Sequence, residues 1–91
     1  MNIEFDFFTL DNGLRVLLHL DSKSNVVTSN ILYDVGSKHE DPDFTGLAHL
    51  FEHLMFSGTK NHSNFDSFLE KVGAQNNAFT SSDITNYYIT I

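Results

Sequence analysis

Between Glu4 and Leu20 the chain is apolar and β-prone except at Asp11-Asn12-Gly13. Asn-Gly best tolerates the positive φ angles of a type I′ hairpin turn, so this pattern predicts strands near Glu4 to Leu10 and Leu14 to Leu20. Asp21-Ser22-Lys23-Ser24 reads as a polar loop. From Asn25 to Val35, Val27, Ile31, Tyr33 and Val35 fall on one face while Thr28, Asn30 and Asp34 fall on the other, the period-two alternation of a third strand. Gly36 to Phe44 is charged and holds the only proline, Pro42, which argues for a loop.

The period then changes. Thr45 can cap a helix from about Gly46 to Ser57, with Gly58 placed to end it through a left-handed residue. Ser63-Asn64-Phe65-Asp66 resembles a capping box, and Phe65, Phe68, Leu69 and Val72 follow at i, i+3, i+4 and i+7 before Gly73. Gln75 to Ser81 and Asn86 to Ile91 read as strands around Ser82-Asp83-Ile84-Thr85, with Tyr87, Ile89 and Ile91 on one face. Strands flanking two amphipathic helices predict an α+β fold: a mainly antiparallel sheet with two helices packed on it, an incomplete part of a larger domain. The last strand runs to the end of the chain, so residues 1–91 are expected to be the N-terminal portion of a single domain, truncated at its C-terminus.

Length and charge narrow the possible functions. Ninety-one residues allow one small domain, and 41% hydrophobic residues with nine Phe supply enough apolar surface for a core. A formal net charge of -7 has the wrong sign for binding phosphates, which excludes nucleic acid as an expected partner. Without cysteine there are no disulfides, thiolate metal sites or cysteine nucleophiles. No signal or transit peptide is visible and no segment approaches a membrane span, so the default expectation is a soluble, cytoplasmic chain.

Candidate chemistry is concentrated in His49-Leu50-Phe51-Glu52-His53. At about 100° per residue, Glu52 and His53 lie about 60° and 40° either side of His49, while Leu47, Leu50, Phe51, Leu54 and Met55 cover the opposite arc. Imidazoles at i and i+4 can share one Zn²⁺, and a carboxylate at i+3 stands beside the metal, placed to take a proton from the attacking water. Taken alone, the same three residues also fit a solvated helix face of mutually paired polar side chains. His19 is expected to be a strand side chain, and His39 and His62 solvated loop residues without partners at ligand spacing.

The stretch Gly46-Leu47-Ala48-His49-Leu50-Phe51-Glu52-His53-Leu54-Met55-Phe56-Ser57-Gly58-Thr59 closely resembles the zinc-site helix of the inverted-zincin metallopeptidases, the family of pitrilysin, insulin-degrading enzyme and the mitochondrial processing peptidase. Leu10 to Val16, Val35-Gly36-Ser37, Asn77-Ala78-Phe79-Thr80 and Thr85-Asn86-Tyr87-Tyr88 extend the likeness in the same order. The resemblance implies His49 and His53 as zinc ligands, Glu52 as general base, and Asn77, Ala78 and Phe79 as part of an edge strand that receives a peptide substrate by strand addition. It also implies a third ligand, a glutamate on a downstream helix, and a second homologous domain or subunit that closes the site. No segment up to Ile91 matches either one, and neither Asp66 and Glu70 nor Glu40, Asp41 and Asp43 match the third ligand. The leading expectation is therefore the N-terminal part of a zinc-dependent endopeptidase, inactive as an isolated piece. The alternative is a non-catalytic peptide-binding or assembly module on the same fold.

Overall fold

The computed structural model describes residues 2–91. Strands β1 (Asp6–Thr9) and β2 (Arg15–Leu18) form an antiparallel hairpin in which Phe8 faces Val16. The turn differs from the expected type I′. Gly13 has φ +90°, but among the described residues no non-glycine residue has positive φ. Leu10 N–H donates to Leu14 O at 2.8 Å and Gly13 N–H to Leu10 O at 2.9 Å, which encloses three residues rather than two. A longer loop of this kind takes a type I turn followed by a left-handed glycine. Asn12 Oδ1 accepts from Leu14 N–H at 3.0 Å, which satisfies the turn without Asn12 leaving negative φ. His19 lies just beyond β2, with Nδ1 2.7 Å from Glu4 O, and so is not a strand residue.

The second sheet carries the site. Strands β3 (Thr28–Tyr33), β4 (Gln75–Thr80) and β5 (Thr85–Thr90) are ordered β3-β5-β4, and both pairings are antiparallel. Val27 and Ile91 exchange backbone bonds of 2.9 Å and extend the β3–β5 ladder. Asn30 and Asn86 bond reciprocally through their amides at 2.8 and 2.9 Å, and the Tyr33 ring stands edge-on to Tyr87 at 5.8 Å. These cross-strand pairs fix the register. The fold is α+β with antiparallel pairing throughout, as expected, but the strands divide into two sheets, because β1 and β2 pair with each other and with no other described strand.

Helices α1 (Leu47–Met55) and α2 (Phe65–Glu70) are both shorter than the sequence pattern predicts. The loop expected from Gly36 to Phe44 contains two short 3-10 turns, Ser37–His39 and Pro42–Phe44. Asn64, rather than Ser63, caps α2 by accepting from Ser67 N–H at 3.1 Å. Gly58 and Gly73 follow the helices with φ +104° and +69°, as the sequence pattern implies.

The apolar side of α1 does not become a core. Leu47, Phe51 and Met55 lean over Tyr33, Val35 and Tyr87 around an apolar cavity of about 520 Å³, but no residue of α1 is buried. Leu50 and Leu54, from the same expected arc, are 52% and 48% exposed, and Leu47, Phe51 and Met55 are as open, at 46%, 56% and 54%. Among the described residues the only buried hydrophobic side chain is Leu69, alongside buried Thr85 and Asn86. No described helix is long and apolar enough to cross a membrane.

Candidate metal centre

The start of α1 is set by a residue outside it. Gly46, the N-cap, has φ +87° and no side chain to cap with. Thr45, the expected cap, makes no such bond. Instead, Glu40 accepts from Gly46 N–H through Oε2 at 2.6 Å and from Ala48 N–H through Oε1 at 2.8 Å. A carboxylate at a helix N-terminus satisfies donors that would otherwise lack partners and suits the helix dipole. Those bonds, to Ala48 first and then Gly46, hold the Glu40 carboxyl below its ordinary value. Glu40 is placed by the preceding turn, in which Ser37 and Lys38 N–H donate to Ser81 and Ser82 carbonyls at 3.1 Å each. Lys38 also pairs with Asp83, an exposed contact of the kind that adds little stability. The helix that bears the motif is thus tied to the turn after β4.

His49 and His53 both lie on the exposed side of α1, one turn apart. Their Nε2 atoms are 3.0 Å apart and their ring centroids 4.7 Å apart. This contact is a hydrogen bond in which one ring donates and the other accepts. Two nitrogens at about 2.0–2.1 Å from a tetrahedral ion would be roughly 3.3 Å apart, so the pair fits two corners of a zinc site with a shift of a few tenths of an ångström. Among the described residues no third His, Asp or Glu completes a metal-binding group. Asp66 lies in the first turn of α2. His39 Nδ1 accepts from Gly36 N–H at 3.0 Å within its own turn, and the His62 ring packs at 6.0 Å from Phe68.

Glu52 shares the cleft but not the histidines' exposure. It is partly buried, and its Oε2 accepts a hydrogen bond from Thr80 Oγ1 at the end of β4. Burial first, then the Glu52 charge and Tyr33, push the Tyr87 hydroxyl above its ordinary value. Together His49, Glu52, Ala78, Phe79 and Thr80 line an open cleft of about 650 Å³.

β4 is an edge strand: β5 pairs with one side and no described strand pairs with the other. Asn77, Ala78 and Phe79 therefore lie on a strand whose outer side faces no described strand, although one outer donor, Ala78 N–H, is taken by its neighbour's side chain. Their side chains alternate. Asn76, Ala78 and Thr80 are partly buried while Gln75, Asn77 and Phe79 are exposed. Ala78 N–H bonds to the Asn77 side-chain oxygen at 2.8 Å. The structure brings Ala78 and Phe79 to the cleft with His49 and Glu52, whereas Asn77 does not line it. Glu40 and Thr80, which hold α1 and Glu52, carry no local sequence signature because their partners lie on other elements.

The chain is similar to known proteins along most of its length. The chain is 44% identical over 84 residues to zinc protease PqqE of Helicobacter pylori, a match covering 89% of this chain and 19% of that protein. It is 34% identical over 91 residues to human insulin-degrading enzyme, covering 97% of this chain and 9% of the enzyme. The crystal structure of a protease from Helicobacter pylori superimposes with a TM-score of 0.90 at 38% identity, over 99% of this chain and 22% of that one. The chain thus spans a fifth or less of the length of these two relatives. Residues 15–91 match the family model of insulinase, peptidase family M16, and the chain belongs to that family.

Proposed function

We propose that residues 1–91 form the N-terminal portion of the catalytic domain of a zinc-dependent endopeptidase. His49 and His53 are its metal ligands, Glu52 is its general base, and Asn77, Ala78 and Phe79 receive the peptide. One observation carries this reading: a single cleft is lined by a candidate ligand, the candidate base and the free edge of β4. When bound, zinc supplies Lewis-acid polarisation of the peptide carbonyl and a lowered pKa for the attacking water.

The remaining chemistry belongs to the chain. His49 and His53 present Nε2 from successive turns of a helix, so their spacing follows from the backbone. Glu52 has Oε2 engaged by Thr80, which leaves Oε1 to accept the proton of the attacking water. The outer row of β4 backbone groups holds an extended peptide by strand addition once the Asn77 side chain releases Ala78 N–H, and the exposed Asn77 and Phe79 side chains meet its neighbouring residues. This reading includes a glutamate ligand from outside residues 1–91 and a second homologous domain or subunit forming the opposite wall, for which the greater length of the relatives leaves room.

The test is cleavage of a fluorogenic unstructured peptide by the full-length protein, with zinc, with a chelator, and in Glu52→Gln. Turnover that the chelator and Glu52→Gln each remove is expected. Turnover indifferent to both would overturn the reading, and tight peptide binding without cleavage would favour the non-catalytic module.

A further inference from the structure

The group that holds the Glu52 carboxylate comes from the strand on the opposite wall of the cleft. Thr80 is the last residue of β4 and follows Ala78 and Phe79 along that wall. Alternation along a strand puts Thr80 on the same side as Asn76 and Ala78, the side toward α1. Its β-branched side chain is stiff at χ1, so the direction of the hydroxyl follows the strand backbone. That backbone is held at its end. Thr80 pairs with Thr85, Ser81 N–H donates to Ile84 O at 2.9 Å, and Ser81 O accepts from Ser37 N–H at 3.1 Å. Thr85 is buried and donates through its hydroxyl to Val35 O at 2.9 Å. A fixed hydroxyl thus meets a long, flexible glutamate side chain, and a hydrogen bond to an ionised carboxylate is among the stronger ones.

We propose that Thr80 is a positioning residue: its hydroxyl selects the Glu52 rotamer that presents Oε1 to the cleft and ties that rotamer to the strand that receives the peptide. The kinetic consequences rest on the peptidase reading above. Peptide laid along β4 bonds to backbone, so its binding does not require the Thr80 hydroxyl. Proton transfer does require a correctly aimed Glu52. Loss of the hydroxyl should therefore lower kcat and leave KM nearly unchanged.

In the full-length protein, Thr80→Val removes the hydroxyl at almost constant volume and Thr80→Ser keeps it. Expected for Thr80→Val is a fall in kcat of roughly ten- to a hundredfold, the scale of a small misplacement of a catalytic group. KM and bound zinc should match the wild type, Thr80→Ser should recover most of the loss, and Thr80→Val should add nothing in a Glu52→Gln background. Wild-type kcat in Thr80→Val overturns the proposal. So does a Thr80→Ser as slow as Thr80→Val, which would assign the effect to methyl packing. Crystal structures of the wild type and Thr80→Val supply a readout independent of turnover: the Glu52 carboxylate should change rotamer, and an unchanged rotamer overturns the proposal. If no form cleaves peptide, the peptidase reading fails while the rotamer comparison still decides the part played by Thr80.

Discussion

His49 and His53 are exposed and Glu52 is partly buried against Thr80, so the three motif residues stand in different environments and should respond differently to substitution. Calorimetric zinc titration of the full-length protein should show binding strongly weakened in His49→Ala and in His53→Ala, and nearly unchanged in Glu52→Gln. Glutamine keeps the shape of Glu52 but cannot take up the proton. Equal weakening in all three would make Glu52 a ligand. Glu40 offers a pH test. Its folded pKa lies below the ordinary 4.5 because two backbone N–H groups favour the charged form. The stabilisation is therefore complete above about pH 4.5 and is lost as pH falls through the lowered value. The difference in melting temperature between wild type and Glu40→Gln should be full at neutral pH and shrink as the solution is acidified below 4.5. A constant difference across that range would remove Glu40 as a charged cap.

At the scale of elements, α1 depends on contacts made by segments before and after it. Gly46 and Gly36 test this dependence in opposite ways. An added Cβ at Gly46 meets nothing within 4 Å, but the residue has φ +87°, so Gly46→Ala should cost about 1–2 kcal/mol from backbone conformation alone. Gly36 has extended φ of -154°, which any residue adopts, but a Cβ there would meet Ser82 C and O at 2.5 Å. Those are backbone atoms of the turn after β4 and cannot rotate aside. Gly36→Ala should therefore separate the Ser37–His39 turn from β4, loosen Glu40 and destabilise more than Gly46→Ala. Urea denaturation of the two variants decides between these terms, and a larger loss in Gly46→Ala would show that the junction yields easily.

At the scale of the whole molecule, large apolar side chains lie open on both sheets and on α1, among them Phe7, Leu17, Leu50 and Phe51 at more than half exposure. Exposed apolar surface on this scale marks a surface that expects a partner. A chain of 91 residues also buries a smaller share of its surface than a full-sized domain. Prepared alone, residues 1–91 should bind the hydrophobic dye ANS strongly and cleave no fluorogenic peptide, while the full-length protein binds less dye per residue and cleaves. Two imidazoles hold zinc poorly without a third protein ligand, and a peptide on an open edge lacks the wall that fixes its scissile bond near the metal. Chelator-sensitive cleavage by the short chain, abolished by Glu52→Gln, would show that Asp66, Glu70 or another acidic residue already present completes the site.

Much of the architecture was legible in the sequence because it depends on local periodicity. Alternation along Val27 to Val35, the i, i+3, i+4 pattern of Phe65 to Val72 and the two helix-ending glycines are each decided within a few residues, and the structure has strands, helices and left-handed glycines there. The i, i+4 spacing of His49 and His53 likewise determines that the rings meet, since successive helical turns place them side by side. The sequence did not reveal that Glu40 rather than Thr45 caps α1, that Asp11 to Gly13 closes a three-residue turn, that the hairpin stands as its own sheet, or that Leu50 and Leu54 stay half exposed. Above all it did not reveal that Thr80 holds Glu52. Apart from the Asp11 to Gly13 turn, whose bonds are local, each of these depends on which other segment is brought alongside, and a hydrogen bond between residues 28 positions apart leaves no periodic trace in either segment. Tertiary structure alone decided them, because only the closed fold brings a β4 hydroxyl within reach of a carboxylate on α1.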